Sequence, residues 1–304
     1  MDGPAFPAPR AVSERLAARC PTLVLVVHGG PLEAKSALLA ASLAQYYLPG
    51  RIVARVMEPE ARWGALGPEA RALFEGLGIP LVPAENRIDP DYPHGNKVAA
   101  LEGISGPAVF LDSDMLLMCP FSWHPELGAD IAAKPADIDT FSRGGGSWSR
   151  VWQLFNLETP AKSFTSTASR EAMRPYFNAG FISVRDGDAF ARMWVETVRR
   201  IDAEPRILNK RPWVDQIALP VTAARLGWEI RPLGDRFNFP CHLSDTGAAS
   251  PYFAHYHWPK VIASQAPLLC RTRALLERVP GLAAILARHE EWDGVLRACD
   301  VQAA

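Results

Sequence analysis

The chain is short of the features that would assign it at once. Its five cysteines, Cys20, Cys119, Cys241, Cys270 and Cys299, are odd in number and scattered. No C-x-x-C pair offers a zinc site and no spacing offers a disulfide framework, so a reducing cytoplasm is the expected setting. No run is long and apolar enough to span a bilayer, and the N-terminus MDGPAFPAPRAVSERLAARC lacks the apolar core of a signal peptide. A soluble, cytoplasmic protein is expected. Charge of one sign is missing too: 32 Lys plus Arg stand against 33 Asp plus Glu, a net charge of -1. That balance argues against a nucleic-acid partner, which calls for a basic footprint, yet a small anion can still be held by a few local charges. After Val27 comes HGG, without the G-x-G-x-x-G spacing of a dinucleotide site, and no G-x-x-x-x-G-K-[ST] loop occurs. The first absence counts against an NAD enzyme, and the second excludes a P-loop ATPase. There are no internal repeats and no low-complexity tract.

What is present reads as α/β. TLVLVVHGG (22–30) is a buried strand ending in glycines. LEAKSALLAASLAQYYL is a helix stopped by Pro49 and Gly50, RIVARVME the next strand, and GPEARALFEGLG a second helix. Strands alternating with helices imply a parallel sheet with covered faces. A helix is expected from about Asn96, over NKVAALEGI, then a strand over GPAVFLDSDMLLM (106–118). Residues 135–175 show little strand pattern and read as a flap or insertion. YFNAGFISVR is a strand, DAFARMWVETVRRI and RPWVDQIALPVTAARLG are helices, and WEIRPLG and YFAHYHW are short strands. The expected organisation is a flexible N-terminal segment (1–20), a catalytic domain (21–265) and a helical C-terminal extension (266–304).

Two carboxylates, Asp112 and Asp114, interrupt the apolar run of 106–118. Burying an unpaired carboxylate is costly, so such groups pair or hold a metal. Side chains two apart in a strand share a face; if the strand persists, Asp112 and Asp114 face together while Ser113 points away. Open α/β sheets collect ligands beyond the carboxyl ends of their strands, which is where this pair sits. A divalent cation cancels the repulsion of two like charges; oxygen ligands suit Mg²⁺ or Mn²⁺, and an imidazole partner favours Mn²⁺. Such an ion stabilises a diphosphate leaving group. A D-x-D pair alone also fits helix capping or arginine pairing.

The surroundings add a resemblance. VFLDSDMLL, YFNAGFISVR, WVDQIALPV, RFNFP and AHYHWPKVI occur in that order. They resemble the D-x-D strand, the F-N-[AS]-G strand, the D-Q motif, the L-x-x-x-[YF]-N segment and the closing H-[FY]-x-G-x-x-K-P-W of nucleotide-sugar glycosyltransferases of the GT-A fold. The match is to the family 8 type, which includes glycogenin-like and bacterial galactosyltransferase enzymes. YPHGNKVAAL is similar to the family segment whose basic residue precedes the D-x-D strand. The resemblance runs from about Thr22 to about Ile262. Two departures stand out: Trp258 occupies the place of the closing motif's glycine, with one residue fewer before Lys260, and 135–175 matches no family wording.

The resemblance implies a GT-A (nucleotide-diphospho-sugar transferase) fold: a Rossmann-like mixed sheet flanked by helices, with a helical C-terminal cap. It implies a metal-dependent hexosyltransferase that moves a sugar from a nucleoside diphosphate donor, UDP-linked, to an acceptor hydroxyl, with retention by analogy. The acceptor is a saccharide, a lipid-linked glycan or a protein. Mn²⁺ or Mg²⁺ would be held by Asp114, with Asp112 reaching metal or ribose, and by His255 or His257, the other being a satisfied core histidine. His28, Gly29 and Gly30 would receive base and ribose. Lys97 would reach donor sugar or phosphate; a lysine in a helix first turn is otherwise disfavoured by the helix dipole. Asn178, Ala179 and Gly180 would lie beside the donor sugar, Gly180 permitting close backbone approach. Lys260 would meet the diphosphate. Asp215 would bind sugar hydroxyls or act as a base, and Gln216 would sit under the anomeric carbon; both are also ordinary first-turn helix residues. Trp148, Trp152 and Trp213 are candidates for stacking on an acceptor sugar, or for the core. Two other readings compete: a non-catalytic nucleotide-sugar binder, and an Asp-nucleophile phosphatase using Asp112. A sugar-1-phosphate nucleotidyltransferase is disfavoured, because no glycine- and arginine-rich loop follows Val27.

Overall fold

The structure is a computed structural model and describes residues 20–47, 49–120, 125–247 and 249–300. The N-terminal segment expected to be flexible lies, through residue 19, outside the described residues. Seven strands form the main sheet in the order β10-β6-β9-β4-β1-β2-β3. They are β1 (Thr22–Val27), β2 (Ile52–Glu58), β3 (Leu81–Glu85), β4 (Ala108–Leu111), β6 (Ile131–Pro135), β9 (Phe177–Val184) and β10 (Ile230–Pro232). Pairing is parallel except for β9, which runs antiparallel to both β4 and β6. The sheet is therefore mixed. Helices cover both faces, which is why β1 and β4 are apolar along nearly their whole length rather than alternating.

One face packs against α1 (Pro31–Ala44), α3 (Pro68–Gly76) and the C-terminal helices α9 (Pro259–Ser264), α10 (Ala266–Arg278), α11 (Leu282–Ala287) and α12 (Asp293–Ala298). The other packs against α7 (Gly187–Ala203) and α8 (Val214–Leu226), whose end is set by Gly227 at φ 66°. α2 (Glu60–Trp63) and α4 (Gly95–Val98) are single turns. Segment 135–175 carries α5 (Thr140–Arg143), α6 (Trp148–Gln153) and a small hairpin of β7 (Phe164–Thr165) and β8 (Ala172–Met173). Phe141, Trp148, Val151 and Trp152 of this segment are buried in the second core. Trp148 and Trp152 thus pack rather than face a ligand. Among the described residues no helix is long and apolar enough to cross a membrane, and the five cysteines are free thiols.

Two sequence expectations are corrected here. The helix expected over NKVAALEGI ends at Val98, because the Arg55 guanidinium takes the carbonyls of Ala100 (2.8 Å) and Glu102, so turns follow instead. The strand expected across the two aspartates also stops short. β4 ends at Leu111, residues 112–114 turn, and β5 (Met115–Leu117) leaves for a second sheet of order β11-β12-β5. In that sheet β12 (Phe253–His255) runs antiparallel to β5 and parallel to β11 (Phe239–Pro240).

Candidate active site

The turn between β4 and β5 places the two aspartates by a route other than strand alternation. Asp112 N–H donates to the Gly180 carbonyl (2.8 Å), which ties the turn to β9. The Ser113 hydroxyl donates to the Val26 carbonyl, which ties it to β1 and buries Ser113. Asp112 and Asp114 are left lining one cavity at the carboxyl end of β4. Because β5 pairs with β12 in the register Met115 to His255, the closing histidines arrive directly beside Asp114.

His255 Nε2 lies 2.9 Å from Asp114 Oδ1, and His257 Nδ1 lies 3.7 Å from Asp114 Oδ2. One ligand atom from each of Asp114, His255 and His257 falls within 4.8 Å of the others. Atoms bonded at about 2.1 Å to one ion sit roughly 3 Å apart, so small side-chain adjustments bring this set around a single cation. The orientation of His255 is already fixed: its Nδ1 faces Asn238 Oδ1 at 2.9 Å, leaving Nε2 for the carboxylate or a metal. Asn238 Nδ2 in turn donates to Asn178 Oδ1 (3.0 Å), which also accepts from Gly180 N–H (2.8 Å). His257 is not strand-paired; its φ of 57° turns the ring back to lie 3.8 Å, centroid to centroid, from that of His255. Positive φ outside glycine is uncommon and clusters at functional sites. The Lys35 ammonium, from α1, donates to the His257 carbonyl (2.8 Å) and braces that turn.

Electrostatics follow the packing. Burial works against charge on Asp114, yet His255 and then His257 hold its carboxyl well below the usual range. Burial and the adjacent His255 lower His257. His242 stands edge-on to His257 at 4.3 Å and is pushed down to about 4 by burial and then by His257. These last two imidazoles are neutral at pH 7, the form that binds metals.

Asp112 is engaged differently. Its carboxylate pairs with Lys97 at 3.0 Å, and Lys97 also lies 3.4 Å from Asp215 Oδ2. Burial alone would lower the Lys97 pKa; Asp112 and then Asp215 outweigh it and raise it, so the ammonium stays charged. Asp215 is fully buried at the start of α8, with the Tyr92 hydroxyl 2.9 Å from its Oδ1. It does not line the cavity. Its neighbour Gln216 does, together with Trp213, His94, Asp137, Asn178 and Leu243. Asp137 has one oxygen bound by the buried Lys134 (2.6 Å) and by Thr167 (2.6 Å).

The remaining sequence candidates divide. A side pocket continuous with these groups runs back to His28, over Val26, Leu32, His94, Asn96 and Phe110. Gly29 packs against the 64–65 turn, where a Cβ would meet the Ala65 carbonyl at 2.6 Å, and Gly30 begins α1 at φ 74°. Ala179 faces the core, Asn178 lines the cavity, and Gly180 is buried directly behind His255, Asn178 and Asp112. Lys260 is exposed on α9, its ammonium 5.6 Å from the Trp258 ring, and lines neither cavity. Sequence reasoning gave no role to Lys35, Tyr92, His94, Asn238 or His242. Asn238 and His94 lie inside the quoted RFNFP and YPHGNKVAAL, which was the available signal.

Comparison with known proteins bears on the family. No curated protein sequence matches the chain. Among solved structures it is similar to the bifunctional glycosyltransferase WbbM in its apo form. The TM-score is 0.57 at 11% identity, over 94% of this chain and 53% of that one. It is also similar to the glycosyltransferase GlyE of Streptococcus pneumoniae TIGR4 (TM-score 0.47, 14% identity, 78% of this chain and 55% of that one). A third is mouse xyloside xylosyltransferase 1, apo form (TM-score 0.45, 12% identity, 77% of this chain and 97% of that one). The chain spans about half the length of WbbM, and the likeness to WbbM supports a GT-A-like fold alone. The sequence match is of another kind: the description of a Rhodobacterales glycosyltransferase domain fits residues 23–227. That stretch runs from β1 through α8 and includes both aspartates, Lys97, the Asn178–Gly180 strand and Gln216, so the chain belongs to the Rhodobacterales glycosyltransferase domain family.

Proposed function

We propose that the protein is a metal-dependent hexosyltransferase that takes a sugar from UDP and delivers it to an acceptor hydroxyl. The observation that carries this reading is the convergence of Asp114, His255 and His257 on one point at the edge of a cavity walled by Asp112, Asn178 and Gln216. One carboxylate and two imidazoles suit Mn²⁺, with Mg²⁺ the harder alternative. When bound there, the ion supplies charge stabilisation to a departing diphosphate.

The side chains have separable tasks. Asp112 holds the Lys97 ammonium with both carboxylate oxygens, each at 3.0 Å, and offers their remaining lone pairs to donor hydroxyls. Asn178, its oxygen already used twice, has its amide N–H groups for the sugar. Gln216 faces the cavity from α8 and places a carbonyl oxygen where positive charge develops at the anomeric carbon. Asp215, being buried, positions Lys97 instead of touching substrate. Lys260 lines neither cavity, so its side chain would have to swing off the Trp258 ring to meet the diphosphate. Nucleoside goes to the pocket at His28, and the acceptor enters along Trp213, His242 and Leu243. Retention of configuration is proposed by analogy with the family 8 resemblance.

A thermal-shift panel of UDP, GDP, CDP and ADP, each with and without Mn²⁺, tests the donor. A ligand bound only by the folded state stabilises in proportion to ln(1 + [L]/Kd). UDP with Mn²⁺ is expected to give the largest rise, and removing Mn²⁺ to erase most of it. Equal rises for all four nucleotides would remove uridine from the proposal; rises indifferent to Mn²⁺ would remove the metal.

Gly180 supplies a sharper local test. A Cβ there would lie 2.8 Å from His255 Cε1 and 3.1 Å from both Asn178 Oδ1 and Asp112 Oδ2. Gly180→Ala is expected to push the His255 ring and Asp112 apart and weaken Mn²⁺ binding about tenfold or more, an effect typical of disturbing groups that orient metal ligands. Isothermal titration with Mn²⁺ measures it. Unchanged affinity in a folded variant would show that His255 does not need its present position.

A further inference from the structure

One polar group in the side pocket is left over after every assigned role. Asn96 is 3% exposed, yet its Oδ1 has no hydrogen-bond partner. Its neighbours are committed elsewhere. The Ser113 hydroxyl is spent on the Val26 carbonyl, and the Lys97 ammonium on Asp112 and Asp215. His28 turns Nδ1 to the Gly29 carbonyl at 2.8 Å. Asn96 lines the pocket together with Val26, His28, Leu32, His94 and Phe110. A buried polar atom without a partner costs on the order of 1–3 kcal/mol, so one left in the wall of a ligand pocket marks where a ligand supplies the missing partner.

Resting on the donor-site reading above, we propose that Asn96 is the nucleoside-recognising residue of that site. A carboxamide offers one acceptor and two donors. It is therefore complementary to a ligand edge with a donor beside an acceptor, as in the imide of uracil or a ribose hydroxyl, and has nothing specific to offer a diphosphate. The apolar groups Val26, Leu32 and Phe110 supply surface for the flat part of a nucleoside, while the phosphates lie toward Asp114 and the histidines. Asn96 thus sets that a nucleoside is held, and the metal ligands set that a diphosphate is held.

The test uses the near-isosteric Asn96→Leu and the smaller Asn96→Ala in the full chain, with UDP plus Mn²⁺ and pyrophosphate plus Mn²⁺ as probes. Calorimetry gives affinities and a thermal scan gives the stability of each protein without ligand. For a nucleoside-reading residue, UDP affinity falls about tenfold or more in both variants, pyrophosphate affinity is unchanged, and the unliganded Asn96→Leu protein melts no lower than the original. The last result separates recognition from structure: an unsatisfied amide contributes no hydrogen bond to the empty protein, so its removal does not weaken it. UDP affinity equal to that of the original protein overturns the proposal. So does a matching loss for UDP and pyrophosphate, or a lowered melting temperature in both variants. A failure of the original protein to bind UDP at all, while still binding Mn²⁺ and pyrophosphate, would overturn the donor-site reading first and this inference with it.

Discussion

Asp114→Ala is expected to lower sugar transfer by on the order of 10³-fold while the protein remains folded. A bound cation contributes several kcal/mol of charge stabilisation, and each 1.4 kcal/mol is about a factor of ten in rate. Among the described residues Asp114 is the single carboxylate paired with both His255 and His257, so its loss leaves the two imidazoles of that cluster without their anionic partner. Donor hydrolysis and transfer, each followed across a Mn²⁺ titration, are the measurements. The comparison variant is Asp112→Ala, whose carboxylate faces Lys97; it is expected to keep more of the Mn²⁺ affinity than Asp114→Ala does. Transfer that survives Asp114→Ala with its metal dependence unchanged would end the metal assignment.

Lys97→Met is expected to destabilise the protein by about 3 kcal/mol, in the range found when one partner of a buried ion pair is removed. The lysine is the cation between Asp112 and the fully buried Asp215, and the Tyr92 hydroxyl cannot neutralise either. Burial and the neighbouring Asp215 raise the Tyr92 pKa, so it remains a neutral donor. Urea unfolding gives the loss as a lower midpoint at constant slope. Adding Asp215→Asn to Lys97→Met is expected to restore much of the stability and none of the activity, since the stranded charge is gone but the cation beside Asp112 is still missing. A loss under about 1 kcal/mol, the scale of an exposed pair, would mean that the two carboxylates find water or another cation.

Much of the architecture could be read from hydrophobic period alone. β1, β2, β9, α1, α7 and α8 were legible because one apolar pattern runs through each and a glycine, proline or polar group stops it. The site was legible as a list of segments and less so as a geometry. Alternation along a strand gave Asp112 and Asp114 a common face, but the strand ends at Leu111, and it is a turn with Ser113 buried inward that delivers both to one cavity. In the strand expected over YFAHYHW, His255 and His257 would share a face by the same alternation, whereas the second is carried back by a positive φ. Neither event has a local sequence signal; each depends on residues distant in the chain, Val26 and Gly180 for the aspartate turn and Lys35 for His257. Burial was the other hidden variable. It withdraws Asp215 from the cavity and sends Trp148 and Trp152 into the core, while leaving Trp213 and Gln216 on the wall.

The small sheet has a consequence for the order in which the centre comes into being. β5 leaves the ribosome early, but its antiparallel partner β12 follows 136 residues later in numbering, from Leu117 to Phe253. A nascent chain extended only through Leu226 owns six of the seven main strands, both aspartates and Lys97, and neither imidazole adjacent to Asp114. On the proposed metal reading, ion capture by the three-residue cluster therefore waits until β12 and His257 have been made, well after most of the main sheet.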